Sequence, residues 1–596
     1  MIKKSYIVSD FSKILANKAL YPVFQFSLLQ CKCIDEFGEN YLQDFNVVNK
    51  KELINSWYYV ESKNDVYFNI LVERLSKIHK KDLSTEFWKR SFSQGLMRQI
   101  TFLHQIFDLL EKKFKPDYFE FSTLDPSSYF IPKDFEEQRN FLGSFHGQEQ
   151  LFSIYIDIFY PKLKRGTFSI SQKKSTKSFF NYLIKRWISN LTKFLKYCLK
   201  NKRADKSRCV VLLLGCFFSK YHKDNLIKKS SRKIIDLTNI IYSKKFVMND
   251  NLRTELSNLP ERVDRFDKFF FGSLKFLFPK VFLEGLEYNL LCSKKLLSQY
   301  PKLSYIVSEA WLSDTKINLF RAYAYEVKEV KTYYNEHNCI FHPFVGNFVD
   351  FQSRSIDKYL TFGWNSPNGK FSPTSSLFPF SISKKKKIVN LDILYVSNPV
   401  EFFFPTYSSS YSNWGYGSIE HLKYVKSFFH LLPQNLKHKI SYRSYPKDYQ
   451  ITGLRFDKEK LLAKYLEGIN FVSSFKFKGE TCKEQMLSSK LVIVDFLSTS
   501  YLESLHMNIP TICFWDPKSM SLKDDYADFF DDLVEAKIMH TNPSSAAIHL
   551  KEIHTNPQTW WQSKKIQDLK NNWLNRNFGQ PDVLVNYLLK LAQKSF

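Results

Sequence analysis

Residues 491–517 constrain this chain more than any other stretch. The apolar run Leu491–Val494 has the length of a strand buried on both faces of a parallel sheet, and Asp495 ends it. Ser498, Thr499 and Ser500 then crowd a helix start. Glu503, three residues after Ser500, predicts a capping box. The helix buries Tyr501, Leu502 and Leu505 and stops at Asn508-Ile509-Pro510, and Thr511–Trp515 reads as the next buried strand. A helix start of this kind offers unbonded N–H groups, the positive end of the helix dipole and several hydroxyls, which suits a phosphate. An ordinary capped helix in an α/β core has the same local pattern, so the stretch alone leaves both readings open.

The surrounding chain extends the pattern. From Leu391 onward strands alternate with helices: Leu391–Val396, a helix over 418–432, a strand from His438 to Tyr442, a helix over 458–466, a strand at Phe471–Phe475, then the opening unit and helices over 543–553 and 559–574. That alternation is the signature of a doubly wound parallel sheet. Earlier strands, at Val210–Phe218, at Leu303–Val307, ahead of His342 and before Gly363, predict a second α/β domain, preceded by helices over 66–113. Ser366–Lys387, rich in Ser, Pro and Lys, reads as a linker. The expected division is 1–365, a linker at 366–388, 389–580, and a last helix in 581–596. Two such domains enclose a cleft, and ligands in open α/β sheets bind at the carboxyl ends of the strands.

Composition narrows the function. The chain has 596 residues and a net charge of +28, a field that suits nucleic acid, anionic lipid or phosphorylated substrates. No basic stripe interleaved with aromatics, zinc-finger spacing or RNP-type strand is present, which disfavours nucleic acid. The nine cysteines are scattered and odd in number, as expected of free thiols in a reducing compartment. No apolar run reaches about 18 residues, so no transmembrane helix is predicted. A cytoplasmic protein is expected, resting at the inner face of the membrane through its basic surface.

The loops after the C-terminal strands carry Arg443, Tyr445, Lys447, Asp448, Tyr449 and Arg455 beside Ser498, Thr499 and Ser500, a set able to bind a nucleotide phosphate. Neither a P-loop nor a Gly-x-Gly-x-x-Gly motif occurs, and no Asp-x-Asp pair, so no metal or other cofactor is called for. On the facing side His342 follows a strand, Asp357 lies in Ser355-Ile356-Asp357-Lys358-Tyr359, and Glu284 precedes Gly285.

Several blocks, in order, resemble a family of bacterial transferases assigned to surface-carbohydrate (O-antigen-type) biosynthesis. They are Phe87-Trp88-Lys89-Arg90, Val281–Gly285, Phe341-His342, Ser355–Trp364, Arg443–Tyr449 and Ser498–Pro517 with Trp560-Trp561 downstream, across roughly residues 50–580. The resemblance implies a GT-B-like glycosyltransferase: two Rossmann-like halves facing a cleft, a metal-independent reaction, a nucleotide-sugar donor on the C-terminal half, and a glycan or lipid-linked glycan acceptor. It implies phosphate binding by Ser498, Thr499 and Ser500, neutralisation by Arg443, a ribose contact by Glu503, and Tyr445 and Asp448 in the same donor site. His342, Asp357 and Glu284 are the candidate acid–base groups. Where the family has a glycine-rich turn after the histidine, this chain has Pro343-Phe344-Val345, so the loop differs in shape. A polyol-phosphate phosphotransferase on the same scaffold, or a basic nucleic-acid or membrane-binding protein without catalysis, are the alternatives.

Overall fold

The computed structural model describes residues 50–113, 122–142, 145–163, 166–168, 206–216, 218, 220–237, 240, 244–309, 315–336, 342–345, 347, 349–366, 369–374, 391–397, 416–444, 459, 462–472, 481–517 and 521–594. A short parallel pair, β1 (Ser122–Leu124) and β2 (Gly166–Phe168), stands apart from two six-stranded sheets. The first sheet comprises β3 (Val211–Leu214), β4 (Ile234–Leu237), β5 (Tyr305–Glu309), β6 (Lys331–Asn335), β7 (Lys358–Thr361) and β8 (Phe371–Pro373), ordered β4-β3-β5-β6-β7-β8. The second comprises β9 (Leu391–Val396), β10 (Ile440–Arg443), β11 (Asn470–Val472), β12 (Ser489–Val494), β13 (Thr511–Phe514) and β14 (Met539–His540), ordered β11-β10-β9-β12-β13-β14. Every pairing in both sheets is parallel. The architecture is therefore α/β with two Rossmann-like halves, as expected.

Strand β12 shows why its residues form a central strand. Leu491 and Ile493 enter one core, with Val425, Phe428 and Leu550. Val492 and Val494 enter the other, with Trp515, Phe530 and Trp573. All four are essentially inaccessible, and burial of each stabilises the fold by about 1.5–3 kcal/mol. A polar residue on either face would have no water to bond.

Long helices, Lys50–His79 and Thr85–Lys113, form an added layer with Phe145–Phe159 and Arg265–Leu277. This layer packs on the outer side of the helix Thr315–Lys328, whose Leu319 and Ala322 join its core while Ile317 and Phe320 face the first sheet.

Three local expectations needed revision. Ser498, not Ser500, caps the helix Thr499–His506, accepting the Ser500 N–H at 3.3 Å, and Glu503 closes no capping box there. The single helix expected over 559–574 is two, Pro557–Trp561 and Lys564–Asn577, interrupted by the extended backbone of Ser563. The strand expected over 338–341, directly ahead of His342, lies outside the described residues, and the described strand before it is Lys331–Asn335. Finally, β8 takes Phe371–Pro373 from the stretch read as linker, of which 375–388 lie outside the described residues.

Candidate functional site

In the second sheet the strand order reverses between β9 and β12, and the crevice beyond their carboxyl ends is the natural ligand position. Asp495, directly after β12, is fully buried there. It accepts the Tyr395 hydroxyl from β9 at 3.0 Å, and His421 Nε2 lies 3.8 Å from the same carboxylate. Tyr395 stacks on Tyr442 of β10, whose hydroxyl donates to Ser397 Oγ at 2.7 Å. Burial, then the charge of Asp495, holds the Tyr395 phenol far above its ordinary range, so it stays a donor.

Arg443 ends β10 and is nearly buried, donating to Gln485 Oε1 at 2.5 Å. Burial pushes the Cys482 thiol up to about 11, against the guanidinium of Arg443 and the Ser500 hydroxyl, both of which hydrogen-bond it, and with the Glu503 charge. The Glu503 carboxyl, raised by burial and opposed by a cation, faces Lys483 Nζ at 3.3 Å. Glu503 thus points to the neighbouring helix Cys482–Leu487 instead of closing a capping box. The structure therefore brings together Arg443, Ser498–Ser500 and Glu503. Tyr445 and Asp448 lie outside the described residues.

The loops beyond the carboxyl ends of β6 and β7 meet the loop beyond β13. The Val345 N–H donates to the Ser521 carbonyl at 2.9 Å, the Lys523 N–H to the Pro343 carbonyl at 2.8 Å, and Phe344 bridges Leu522. One apolar cluster runs through this seam, joining Tyr334, Phe344 and Trp364 to Val494, Trp515 and Phe530. Gly363 closes it further along: the Gly579 N–H donates to Phe362 O at 2.7 Å, and a Cβ on Gly363 would stand 2.1 Å from Gly579 N. His342 sits inside the seam, its ring 3.8 Å from that of Trp364 and edge-on to Tyr526 and Phe529. Burial, with Lys523 nearby, pushes its imidazole well below its usual range, which makes it a packing ring and a weak base.

Two other acid–base candidates lie elsewhere, which corrects the expectation for both. Glu284 belongs to the helical layer. Both its oxygens are held by Arg253, at 2.6 and 2.8 Å, and the pair is buried. Asp357 precedes β7 and so stands at the amino end of the first sheet, opposite the seam. It binds the Arg90 guanidinium and the Thr332 N–H, each at 2.8 Å.

Among the described residues, acids that reach the carboxyl ends of the first sheet include Glu309, ending β5, and Glu336, following β6. Asn335 Nδ2 donates to Glu309 Oε1 at 3.4 Å and to the Glu336 carbonyl at 3.1 Å. Glu336 Oε2 accepts the Phe362 N–H at 2.7 Å and the Trp364 indole at 2.8 Å. Its Oε1, and Asn335 Oδ1, are buried oxygens without a partner among the described residues. Desolvation raises the Glu336 carboxyl to about 8. Asp495, Lys483, Gln485, Glu309 and Glu336 were not among the sequence candidates. Asp495 is marked locally as the end of an apolar run, and Thr481-Cys482-Lys483-Glu484, which forms a true capping box, marks the helix carrying Lys483 and Gln485.

Among the described residues no three His, Cys, Asp or Glu side chains converge as a metal site requires, and no helix is long and apolar enough to cross a membrane. The five described cysteines are free. No curated protein sequence matches the chain. The family model of the LIC12162 family transferases, in contrast, matches residues 35–588, taking in both sheets, the seam between them and the helical layer. The chain belongs to the LIC12162 family of transferases.

Proposed function

We propose that this transferase moves a glycosyl group from a nucleotide-sugar donor to a surface polysaccharide or lipopolysaccharide acceptor, without a resident metal. One observation carries the reading: loops from the carboxyl ends of two parallel sheets meet at one seam, and one of those ends gathers Arg443 with the hydroxylated helix start Ser498–Ser500. Arg443 and the first-turn N–H groups bind the donor phosphates and take up the negative charge that grows on the departing nucleotide. Glu503 acts here by fixing Lys483 beside that site. The acceptor lies against the end of the first sheet, where the unpartnered oxygens of Glu336, which keeps its proton up to about pH 8, and of Asn335 suit a ligand bringing hydroxyls, which both accept and donate.

Thermal shift with CMP, CDP, UDP and GDP tests the donor site. A nucleotide present at about 100 times its Kd stabilises the fold by about 2.7 kcal/mol, and Arg443→Ala abolishes the shift. If none of the four stabilises the wild-type protein, the reading fails. Product analysis then identifies the bond formed: a phosphodiester in place of a glycosidic link would replace glycosyl transfer by phosphotransfer on the same scaffold.

A further inference from the structure

At the other end of the first sheet, away from the seam, lies a cleft of about 580 Å³. Arg208 precedes β3, Lys233 precedes β4, Lys302 and Ser304 precede β5, and Lys328 lies just before β6. The lip is therefore built by the amino ends of four adjacent strands. The backbone ties it together: the Val210 N–H donates to Lys233 O, the Ser304 N–H to Val210 O, and the Lys331 N–H to Ser304 O, at 2.8–3.0 Å.

The charge of this lip is one-sided. Segments 206–210, 230–233, 300–304 and 327–330 hold Lys206, Arg208, Arg232, Lys233, Lys302 and Lys328 against a single acid, Glu329. Among the described residues no carboxylate pairs with Arg208, Lys233, Lys302 or Lys328, whereas Lys223 and Lys331 of the same half are paired, with Asp236 at 3.0 Å and Asp357 at 3.7 Å. Lys206 is likewise turned to an amide and a ring, donating to Gln299 Oε1 and lying over Tyr300.

Helix ends attract cations, and three helices end near here. That need is largely met by backbone: the Ser298 N–H donates to Lys294 O, Arg232 to Ile227 O and Glu329 to Tyr325 O. The Lys328 ammonium reaches a carbonyl of the lip, that of Pro301, at 3.4 Å. Like charges held around one concavity repel one another unless an anion sits between them.

We infer that this cleft binds a phosphate-bearing anion, at a site separate from the donor site. The cleft has room for a phosphorylated compound or a lipid headgroup, and the guanidinium of Arg208 with the ammonium groups of Lys233 and Lys302 supplies the donors for its phosphate. The phosphate comes either from the headgroups of an anionic bilayer or from a soluble phosphorylated compound.

The test uses the full chain and a triple variant, Arg208→Gln, Lys233→Gln, Lys302→Gln, leaving Lys328 on its carbonyl. The control variant, Lys564→Gln with Lys565→Gln, removes charge from the other half. One arm measures co-sedimentation with vesicles of phosphatidylglycerol and phosphatidylcholine at about 3:7, where each cation lost near the surface weakens binding several-fold and the triple variant loses on the order of 100-fold. The other measures thermal stabilisation by inorganic pyrophosphate. Vesicle binding lost in the triple variant and kept in the control assigns the site to lipid headgroups. Pyrophosphate stabilisation confined to wild type and control, without vesicle preference, assigns it to a soluble phosphate. Equal behaviour of wild type and triple variant in both arms, or an equal loss in the control, overturns the inference. Should the triple variant melt early, Lys302→Glu alone, at an exposed position, is read for the same loss on a smaller scale.

Discussion

Replacing Glu336 by Gln should flatten the dependence of stability on pH. The Glu336 carboxyl is raised from its ordinary 4.5 to about 8, chiefly by desolvation and against the two N–H groups it accepts. Between those values the unfolded chain has lost this proton and the folded protein still holds it. The contribution of Glu336 is therefore fully present below about pH 4.5 and is lost as pH rises toward 8. At about 1.4 kcal/mol per pH unit the wild type loses on the order of 4 kcal/mol across that window. Gln keeps an oxygen for the Phe362 and Trp364 donors and cannot ionise. Urea unfolding of both proteins at pH 5, 6.5 and 8 measures the effect, since every other titrating group is common to the pair. The variant should gain on the wild type steadily with pH. Two profiles that run parallel, offset by a constant, would show that Glu336 ionises normally and that its burial has been misjudged.

Three further outcomes are expected. Glu284→Gln should cost about 3–5 kcal/mol in denaturant unfolding by stranding the charge of Arg253, while transfer per folded molecule is unchanged; normal stability with lost transfer would restore Glu284 to the chemistry. His342→Gln should remove part of the acid sensitivity, because below about pH 6.5 the unfolded chain takes up a proton that the buried ring refuses; acid midpoints identical to wild type would contradict this. Gly363→Ala should loosen the seam, since φ is +145° there and Gly579 N leaves no room for a Cβ. Limited proteolysis should then cleave between the halves faster than in wild type, and an unchanged rate would disprove the close approach.

The contrast between legible and illegible residues has a physical basis. Ile393–Val396 and Leu491–Val494 announce themselves because a strand covered on both faces needs an unbroken apolar run. Ser498–Ser500 and Asn508-Ile509-Pro510 mark the helix between because capping and termination are local chemistry. Glu309, Asn335 and Glu336 share no local pattern. They converge because sheet order sets β5 beside β6, and β6 itself reads Lys331-Thr332-Tyr333-Tyr334-Asn335, without an apolar run. Glu284 and Asp357 misled for the converse reason: a carboxylate beside a loop looks the same whether it faces a substrate or an arginine from a distant helix. The capping register slipped because three consecutive hydroxyls compete for one role, which backbone torsions alone decide.

The helix Pro581–Gln593 follows the whole of the second sheet in the chain, yet Leu584, Leu588 and Leu591 pack with Val211, Val307 and Leu360 of the first. During synthesis, the first sheet must wait with one apolar face uncovered until the second half has left the ribosome. The two halves are thus coupled in order of assembly as well as in space, and a ribosome stalled near residue 580 would hold a chain whose first half is still unsealed.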